Sequence, residues 1–429
     1  MRLSLDYWKV FSATVISSLG GGISGVAIPW IATSLTRDPV AITLITLAGQ
    51  LPWIIFTLHA GVLIDRLDKK KILITMDVLR GVVTALVGLV IYLERGSLGE
   101  VTDIKYVVGT RWGLLIILIL TSLIMGFASV LADTTSQSVM PFVVEKEQLQ
   151  TANGRMWSAI SASEQFIGPP IGSFLVGIAA FIPLLFDAGS FFLSAGLIFL
   201  VAAQFGKKRE VNKSASFSAD IKEGFNWLWS HKIFKTLALT LGLINLVNSL
   251  FIGSYILFAQ EVLHVSVFQF AILQTGFAIG GIFSGVIGPK LAKKLGDARS
   301  LAFSMITMVV SALIIGSTNN WIVVWATGIA TAIFITLWNI VTVSFRQSVI
   351  PEELFGRVNS VYRFFGTGGA PIGAALGAAI VSVSMHFISR QSALRLPFYL
   401  DATASFLIFL ATRKSLSESQ FQAARKAFN

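Results

Sequence analysis

The chain has 429 residues, of which 54% are hydrophobic and 13% are charged, and its mean hydropathy is +0.77. A soluble protein carries about 25% charged residues, so the soluble globular class is excluded. Disorder is also excluded, because this much Phe, Leu, Ile and Val cannot stay solvated. The sequence contains no cysteine, which rules out disulfides, a thiolate nucleophile and Cys-ligated metals.

The apolar residues form long runs, each long enough to cross a hydrocarbon core of about 30 Å as a helix of about 20 residues. The first six predicted spans are Val10 to Leu35, Ala41 to Ile64, Ile72 to Leu93, Gly113 to Ser138, Ala152 to Ala179 and Ile182 to Gln204. The second six are Phe234 to Val262, Phe268 to Leu291, Leu301 to Ser317, Trp321 to Ser348, Val358 to Phe387 and Leu396 to Thr412. Barrel strands alternate polar and apolar residues, whereas these runs are continuous. The pattern therefore predicts an all-α membrane protein with twelve transmembrane helices.

Short repeats relate the two sets of six spans. Pro170-Ile-Gly172 recurs as Pro371-Ile-Gly373, and other short segments recur in the same order. The repeat predicts two pseudo-symmetric six-helix halves, which is the architecture of a rocking transporter with a substrate site near the midplane. The predicted domains are an N-terminal half (1–205), a cytoplasmic linker with an amphipathic helix (206–233), a C-terminal half (234–412) and a basic cytoplasmic tail (413–429).

The basic residues predict the orientation. With both termini in the cytoplasm, 25 of the 33 Lys and Arg residues, Arg346 among them, lie on that side. Six lie outside, and Arg80 and Arg363 lie within helices. The net charge of +11 is then a topology signal, and it favours contact with anionic membrane lipids over nucleic acid.

Several motifs carry a resemblance to a known family. The segment Gly61-Val-Leu-Ile-Asp65-Arg66-Leu-Asp-Lys-Lys-Lys71 resembles the G-x-L-x-D-R-x-G-R-[RK] loop between helices 2 and 3 of the major facilitator superfamily. The segments Asp77-Val-Leu-Arg80 and Gly356 to Arg363 resemble its branch of enterobactin exporters and macrolide efflux proteins. The resemblance implies the major facilitator fold, a small-molecule substrate and a bacterial plasma (inner) membrane. We expect a monomer without cofactors.

The charged residues around this loop predict a cytoplasmic gate. Gly61 lets helices approach closely, and Asp65 can accept from backbone amides at a neighbouring helix N-terminus. A charge inside a membrane needs a partner, so we expect Asp133 to pair with Arg66 or Arg80. We expect Asp65 to pair with Arg357 or Arg363. The predicted gate residues are Gly61, Asp65, Arg66, Asp77, Arg80, Asp133, Arg357 and Arg363. The alternative is that these residues are static struts.

The fifth span contains Gly168-Pro169-Pro170-Ile-Gly172, which resembles the G-P-x-x-G signature of superfamily antiporters. Two glycines four residues apart form a smooth face for close helix packing, and plain packing is the alternative to an antiport role.

Glu164 lies near the middle of the same span, where a lone carboxylate is expensive and tends to hold a proton. It is therefore the leading candidate for proton coupling or for binding a cationic substrate, with Asp133 the next candidate for coupling. The alternative is that Glu164 is a neutral structural donor.

The resemblance implies that helices 1, 4, 7 and 10 line the substrate cavity, and helix 2 adds two more candidates. The predicted cavity residues are Gln50, Trp53, Asn245, Asn248, Tyr255, Trp338 and Asn339. Aromatic rings and amides suit a bulky amphipathic ligand, although both also serve helix packing and interhelical hydrogen bonds.

The sequence gives little support to an enzymatic function. The four histidines form no H-x₃-H metal pair, and the sequence lacks a G-x-S-x-G elbow and a P-loop. No metal site is expected. The expected function is export of a small amphipathic molecule (a drug, macrolide or siderophore-like compound) by alternating access, coupled to a proton or another ion as an antiporter. The alternatives are an importer or symporter on the same fold, and a membrane scaffold or lipid handler that does not transport.

Overall fold

A computed structural model describes residues 3–98, 109–145, 148–203, 205 and 217–428. Within these ranges the description of side chains omits residues 57–63, 65–66, 97–98, 137, 150, 217–220, 352–353 and 428.

The described residues are almost entirely helical. In chain order the helices are α1 (Leu5–Leu35), α2 (Pro39–Arg66), α3 (Lys69–Leu93), α4 (Arg95–Leu98), α5 (Trp112–Val143), α6 (Leu149–Ser161), a π-helical turn (Ala162–Ile167), α7 (Gly168–Ile178), α8 (Ile182–Phe199), α9 (Phe217–Ser230), α10 (Lys232–Asn248), a 3₁₀ turn (Ile252–Ser254), α11 (Tyr255–Glu261), α12 (Val267–Leu295), α13 (Asp297–Ser317), α14 (Trp321–Val349), α15 (Glu352–Ser384), α16 (Arg390–Thr412) and α17 (Glu418–Phe428).

Eleven helices among the described residues are long and apolar enough to cross a membrane, and no strand occurs in this part of the chain. This confirms the predicted all-α membrane protein. The remaining predicted span, Ala152 to Ala179, corresponds to α6, the π-helical turn and α7, which follow one another without a break. Eleven of the twelve predicted spans are therefore found among the described residues, and the count of twelve stays a prediction.

The chain divides into two compact units. Unit 1 comprises residues 1–211 and 265–274, and unit 2 comprises residues 212–264 and 275–429. In unit 1, Tyr7 and Val10 of α1 pack with Val139 and Met140 of α5 and with Ile198 of α8. Each unit thus has its own apolar core.

The core of unit 2 is rich in aromatic side chains. Phe234 of α10 stacks on Phe345 of α14, with 5.3 Å between ring centroids. Phe421 of α17 meets the same Phe345 ring edge-on at 4.7 Å and is fully buried. Arg425 of α17 forms an ion pair with Asp297 at 2.7 Å. Residues 418–428, within the predicted basic tail, therefore form a helix that docks on unit 2.

Polar residues mark the helix starts. The Asp68 carboxylate accepts hydrogen bonds from the amides of Lys70 and Lys71 at 2.9 and 3.2 Å and begins α3. Asn320 accepts from the amide of Ile322 at 2.9 Å and begins α14. Such caps satisfy amides that have no partner within the helix, so the helix begins there.

The sixth span is shorter than predicted, because α8 ends at Phe199 and not at Gln204, which lies outside the described residues. The carboxylate of Asp6 accepts hydrogen bonds from the amides of Ala202 and Ala203 at 3.1 and 2.8 Å. These two amides are thus bonded to Asp6 near the start of α1, so they do not form the backbone hydrogen bonds that a longer α8 would need.

The π-helical turn has a local cause. The amide of Gly168 donates to the carbonyl of Ser163, which is the i→i+5 pattern of a π-helix. Pro169 and Pro170 have no N–H to donate, so they cannot form the hydrogen bonds that an α-helix needs here. The wide turn contains Glu164.

Candidate functional site

A buried ion pair lies inside unit 1. Arg80 and Asp77, one turn apart on α3, are paired directly and are 8% and 3% exposed. Ser194 of α8 donates to the Asp77 carboxylate at 2.7 Å. The Arg80 guanidinium lies over the ring of Phe191 at 4.5 Å. Both carboxylate oxygens of Asp77 thus have a partner, as a charge inside a membrane protein requires, whereas the buried Nε of Arg80 has none among the described residues.

Two further carboxylates lie near this pair. Asp133 of α5 is exposed and lies within electrostatic reach of Arg80 and Asp77. Glu164 of the π-helical turn is also exposed and lies within electrostatic reach of Asp133. Among the described residues, neither carboxylate has a hydrogen-bond or ion-pair partner in the protein. Both groups are therefore available to protons.

A fourth carboxylate completes the cluster. Asp187 of α8 is buried, accepts from Ser24 at 2.5 Å and from Ser190 at 3.4 Å, and lies within electrostatic reach of Arg80. Its two serine partners satisfy the carboxylate, which suits a structural role. We call Asp77, Asp133, Glu164 and Asp187 the acid row. Because Arg80 pairs directly with Asp77, the rest of the row carries an excess of negative charge that favours binding of protons or cations.

The gate predicted from the sequence is only partly described. Gly61, Asp65 and Arg66 belong to the end of α2, but their side chains lie outside the described residues, so their pairings stay predictions. Arg80 forms its ion pair with Asp77 rather than with Asp133.

Arg357 forms an ion pair with Glu223 of α9 at 2.5 Å. The side chain of Arg363 is exposed.

The fifth span packs closely on α1 through its glycines. A Cβ added at Gly168 would lie 2.7 Å from the Cα of Gly22, and one at Gly172 would lie 2.5 Å from the carbonyl oxygen of Ile23. Pro169 is buried in the same region. These glycines therefore act first as a packing face.

Unit 2 repeats this packing. A Cβ at Gly369 of α15 would lie 2.7 Å from the carbonyl oxygen of Gly242 on α10, and Gly373 approaches the carbonyl of Leu246. The same device serves both halves, which favours the packing interpretation of the antiporter-like motif.

We expect Gly172→Ala to lower the thermal stability of the protein and its yield in membranes, because the new methyl group collides with the α1 backbone. Gly177→Ala on the same helix is the control, since a Cβ there meets nothing within 4 Å. Fluorescence-detected size exclusion after heating measures both variants. Equal stability of the two would refute the packing role of Gly172.

Unit 2 contains a cavity of about 470 Å³. Its lining includes four predicted cavity residues, Asn245, Asn248, Trp338 and Asn339, and also Arg363. Tyr255 does not line it. Gln50 and Trp53 belong to α2 in unit 1.

Two of the cavity amides also hold helices together. Asn245 donates to the carbonyl of Gly366 at 2.5 Å, and Asn248 donates to Asp401 at 3.4 Å. Asn339 is exposed within the lining. The first two amides therefore fit the interhelical alternative, and Asn339 fits the predicted contact with a ligand.

The sequence analysis missed Arg346 as a lining residue. It was counted with the basic residues of the cytoplasmic side, yet it lies two residues inside the predicted span Trp321 to Ser348. The structure places it in the last turn of α14, 6% exposed and lining the cavity. Its position inside an apolar run was the signal.

Comparison with known proteins identifies the family. Residues 5–423 match the family model described as transmembrane secretion effector, within the major facilitator superfamily. The chain belongs to this family. The match confirms the superfamily that the motifs predict.

Relatives of this secretion effector family member are named as efflux proteins. The multidrug efflux pump Tap of Mycobacterium bovis (strain BCG / Pasteur 1173P2) is 23% identical over 235 residues, which is 54% of this chain and 52% of Tap. The chain thus spans about half the length of that relative. Macrolide efflux protein A of Streptococcus pyogenes is 24% identical over 380 residues, covering 87% of this chain and 89% of the relative. None of these names describes an enzyme, in agreement with the sequence analysis.

A solved structure shows the same fold. The crystal structure of a bacterial homologue of the iron transporter ferroportin in an inward-facing state superposes with a TM-score of 0.73 at 18% identity. The superposition covers 97% of this chain and all of the other. The predicted major facilitator fold is therefore confirmed for this family member.

Proposed function

We propose that this protein is a secondary active exporter of small amphipathic molecules, driven by the entry of protons. It would work as a monomer in the bacterial inner membrane with both termini in the cytoplasm. Membership of the secretion effector family and relatives named as efflux proteins support export. The excess of basic residues in one set of loops supports the orientation.

The observation that carries the coupling is the acid row of unit 1. Glu164 and Asp133 are exposed, lack protein partners among the described residues and repel each other when both are charged. A proton on Glu164 removes that repulsion. Loss of the proton to water restores a carboxylate beside Asp133, so the two charge states differ in electrostatic energy within unit 1.

The turn that holds Glu164 is packed directly on α1. A Cβ at Gly22 would lie 2.6 Å from the carbonyl oxygen of Glu164. A change of charge at Glu164 therefore acts where the fifth span meets α1, and in this mechanism it biases the two access states of the transporter.

Transport in proteoliposomes tests the proposal. Purified full-length protein is reconstituted, and an imposed pH gradient is used to drive erythromycin, ethidium or 2-naphthoate uphill. We expect movement of at least one probe opposite to the proton flow. Movement in the same direction as the protons would assign a symporter, and absence of gradient-dependent flux for all three probes would favour the scaffold or lipid handler.

A further inference from the structure

The cavity of unit 2 is positively charged. Arg346 of α14 and Arg363 of α15 both line it and lie within electrostatic reach of each other. The described lining contains no carboxylate. Two like charges in one cavity repel, so this arrangement is unfavourable unless something anionic accompanies it.

The surroundings of Arg346 bind its guanidinium without neutralising it. Its Nε donates to the carbonyl of Thr342 at 3.2 Å, and an Nη donates to the side-chain oxygen of Asn359 at 2.8 Å. The guanidinium also stacks over the ring of Tyr362 at 3.8 Å. Among the described side chains, which leave out Glu352 and Glu353, Arg346 forms no ion pair. Its charge is held in place and remains available.

Arg363 is less constrained. Its side chain is exposed and, among the described residues, donates no hydrogen bond and forms no ion pair. Arg357, on the same helix, differs in this respect, since it is paired with Glu223. The cavity is therefore lined by one arginine held by hydrogen bonds and a second without such contacts among the described residues.

Two buried donors lie at the same place. The indole Nε1 of Trp338 and the hydroxyl of Tyr362 have no well-directed hydrogen bond to the described protein. Both residues are buried, with only 2% of their surface exposed. The Tyr362 hydroxyl lies within hydrogen-bonding reach of the Trp338 and Thr342 side chains, so these groups are near partners for one another.

We propose that this cavity binds the oxyanion of an aromatic, amphipathic substrate, with Arg346 and Arg363 holding its carboxylate or phosphate. The planar fork of arginine suits both groups. Asn339 supplies a further hydrogen bond. Trp338 and Tyr362 also line the cavity, and their aromatic rings provide apolar contact, so the cavity selects an acid attached to a ring system. The inference rests on the proposed export function and names the substrate class.

Binding to the full-length protein in phosphatidylcholine nanodiscs, without any gradient, tests this proposal. The probes are 2-naphthoate and its neutral isostere 2-naphthamide, measured by isothermal titration. We expect the wild-type protein to bind the acid at least about tenfold more tightly than the amide, as charge-assisted hydrogen bonds imply. Arg346→Gln should bring the two affinities to within about twofold, chiefly by weakening the binding of the acid.

Arg346→Lys tests whether the effect of Arg346→Gln is only a folding defect, because lysine keeps the positive charge but lacks the planar guanidinium. It should retain a reduced preference for the acid. Arg413→Gln is the control, since Arg413 is exposed at the end of α16 and lies outside the cavity lining. A wild-type protein without preference for the acid would overturn the proposal, as would a preference that survives Arg346→Gln.

A lipid headgroup could supply the same oxyanion chemistry, and adding phosphatidylglycerol to the nanodiscs separates the two sources. Unchanged 2-naphthoate affinity supports a substrate site. Competitive loss of that affinity would assign the cavity to lipid phosphate and overturn the proposal of a substrate site. Because binding is measured without a gradient, failure of uphill transport leaves this result standing. Conversely, uphill flux of erythromycin or ethidium with no acid preference would refute this inference alone.

Discussion

Glu164→Gln is expected to retain ligand binding and to lose uphill efflux driven by a pH gradient, with flux falling to the level of empty liposomes. The amide imitates the protonated carboxyl group in shape and hydrogen bonding but cannot release a proton. Glu164 is exposed in the π-helical turn and lacks a protein partner, so the substitution removes no structural contact among the described residues. Glu164→Asp should keep part of the activity.

The control is Glu145→Gln, which removes an exposed carboxylate just after α5, outside the acid row. It should pump at the wild-type rate in the same proteoliposomes. If Glu164→Gln also pumps at that rate, Glu164 is a structural donor and coupling lies elsewhere, with Asp133 the next residue to test.

Arg80→Ala should destabilise the protein by about 3–5 kcal/mol, because it leaves the buried Asp77 carboxylate without its cation. Among the described residues, Asp77 would keep only the hydrogen bond from Ser194. The ring of Phe191 would lose its stacked guanidinium as well. Thermal stability in detergent and yield in membranes measure the effect. Arg95→Ala is the control, since Arg95 is an exposed arginine just beyond the other end of α3.

The double variant Arg80→Ala with Asp77→Asn should recover part of the lost stability, since removing both members of a buried pair costs less than removing one. Asp133→Asn should rescue Arg80→Ala less, because the direct partner of Arg80 is Asp77. Equal rescue by the two substitutions would show that Arg80 is shared between the carboxylates. No rescue by Asp77→Asn would contradict the pairing.

The positions of the helices were predictable because membrane insertion depends on local apolar length. The predicted third span begins at Ile72, whereas α3 begins at Lys69, because the Asp68 cap lies in the polar stretch before the apolar run. The end of α8 was not predictable, because Asp6, almost 200 residues away, binds the amides that would have extended it. The wide turn before Pro169 was also missed, although the two adjacent prolines are visible in the sequence.

The candidate sites follow the same division. Glu164 and Asp133 stand out because carboxylates are rare inside apolar runs, and the structure places them within electrostatic reach of each other. Arg80 pairs with Asp77 and not with Asp133. This depends on side-chain geometry, which the spacing of the residues in the sequence does not determine. The sequence analysis counts Arg346 only as a cytoplasmic basic residue, because counting basic residues per side ignores how far an arginine lies within its helix.

The π-helical turn Ala162–Ile167 also determines an angle. It contains an extra residue relative to an α-helix, and α7 beyond it is fixed on α1 by Gly168 and Gly172. Deleting one residue from the turn would restore α-helical spacing and rotate α6 by about 100° relative to α7, with a shift of about 1.5 Å along the axis. The number of residues in the turn therefore determines the rotation of α6 relative to α7, and with it the direction in which the Glu164 carboxylate points. The contacts of Gly168 and Gly172 with α1 do not depend on this number.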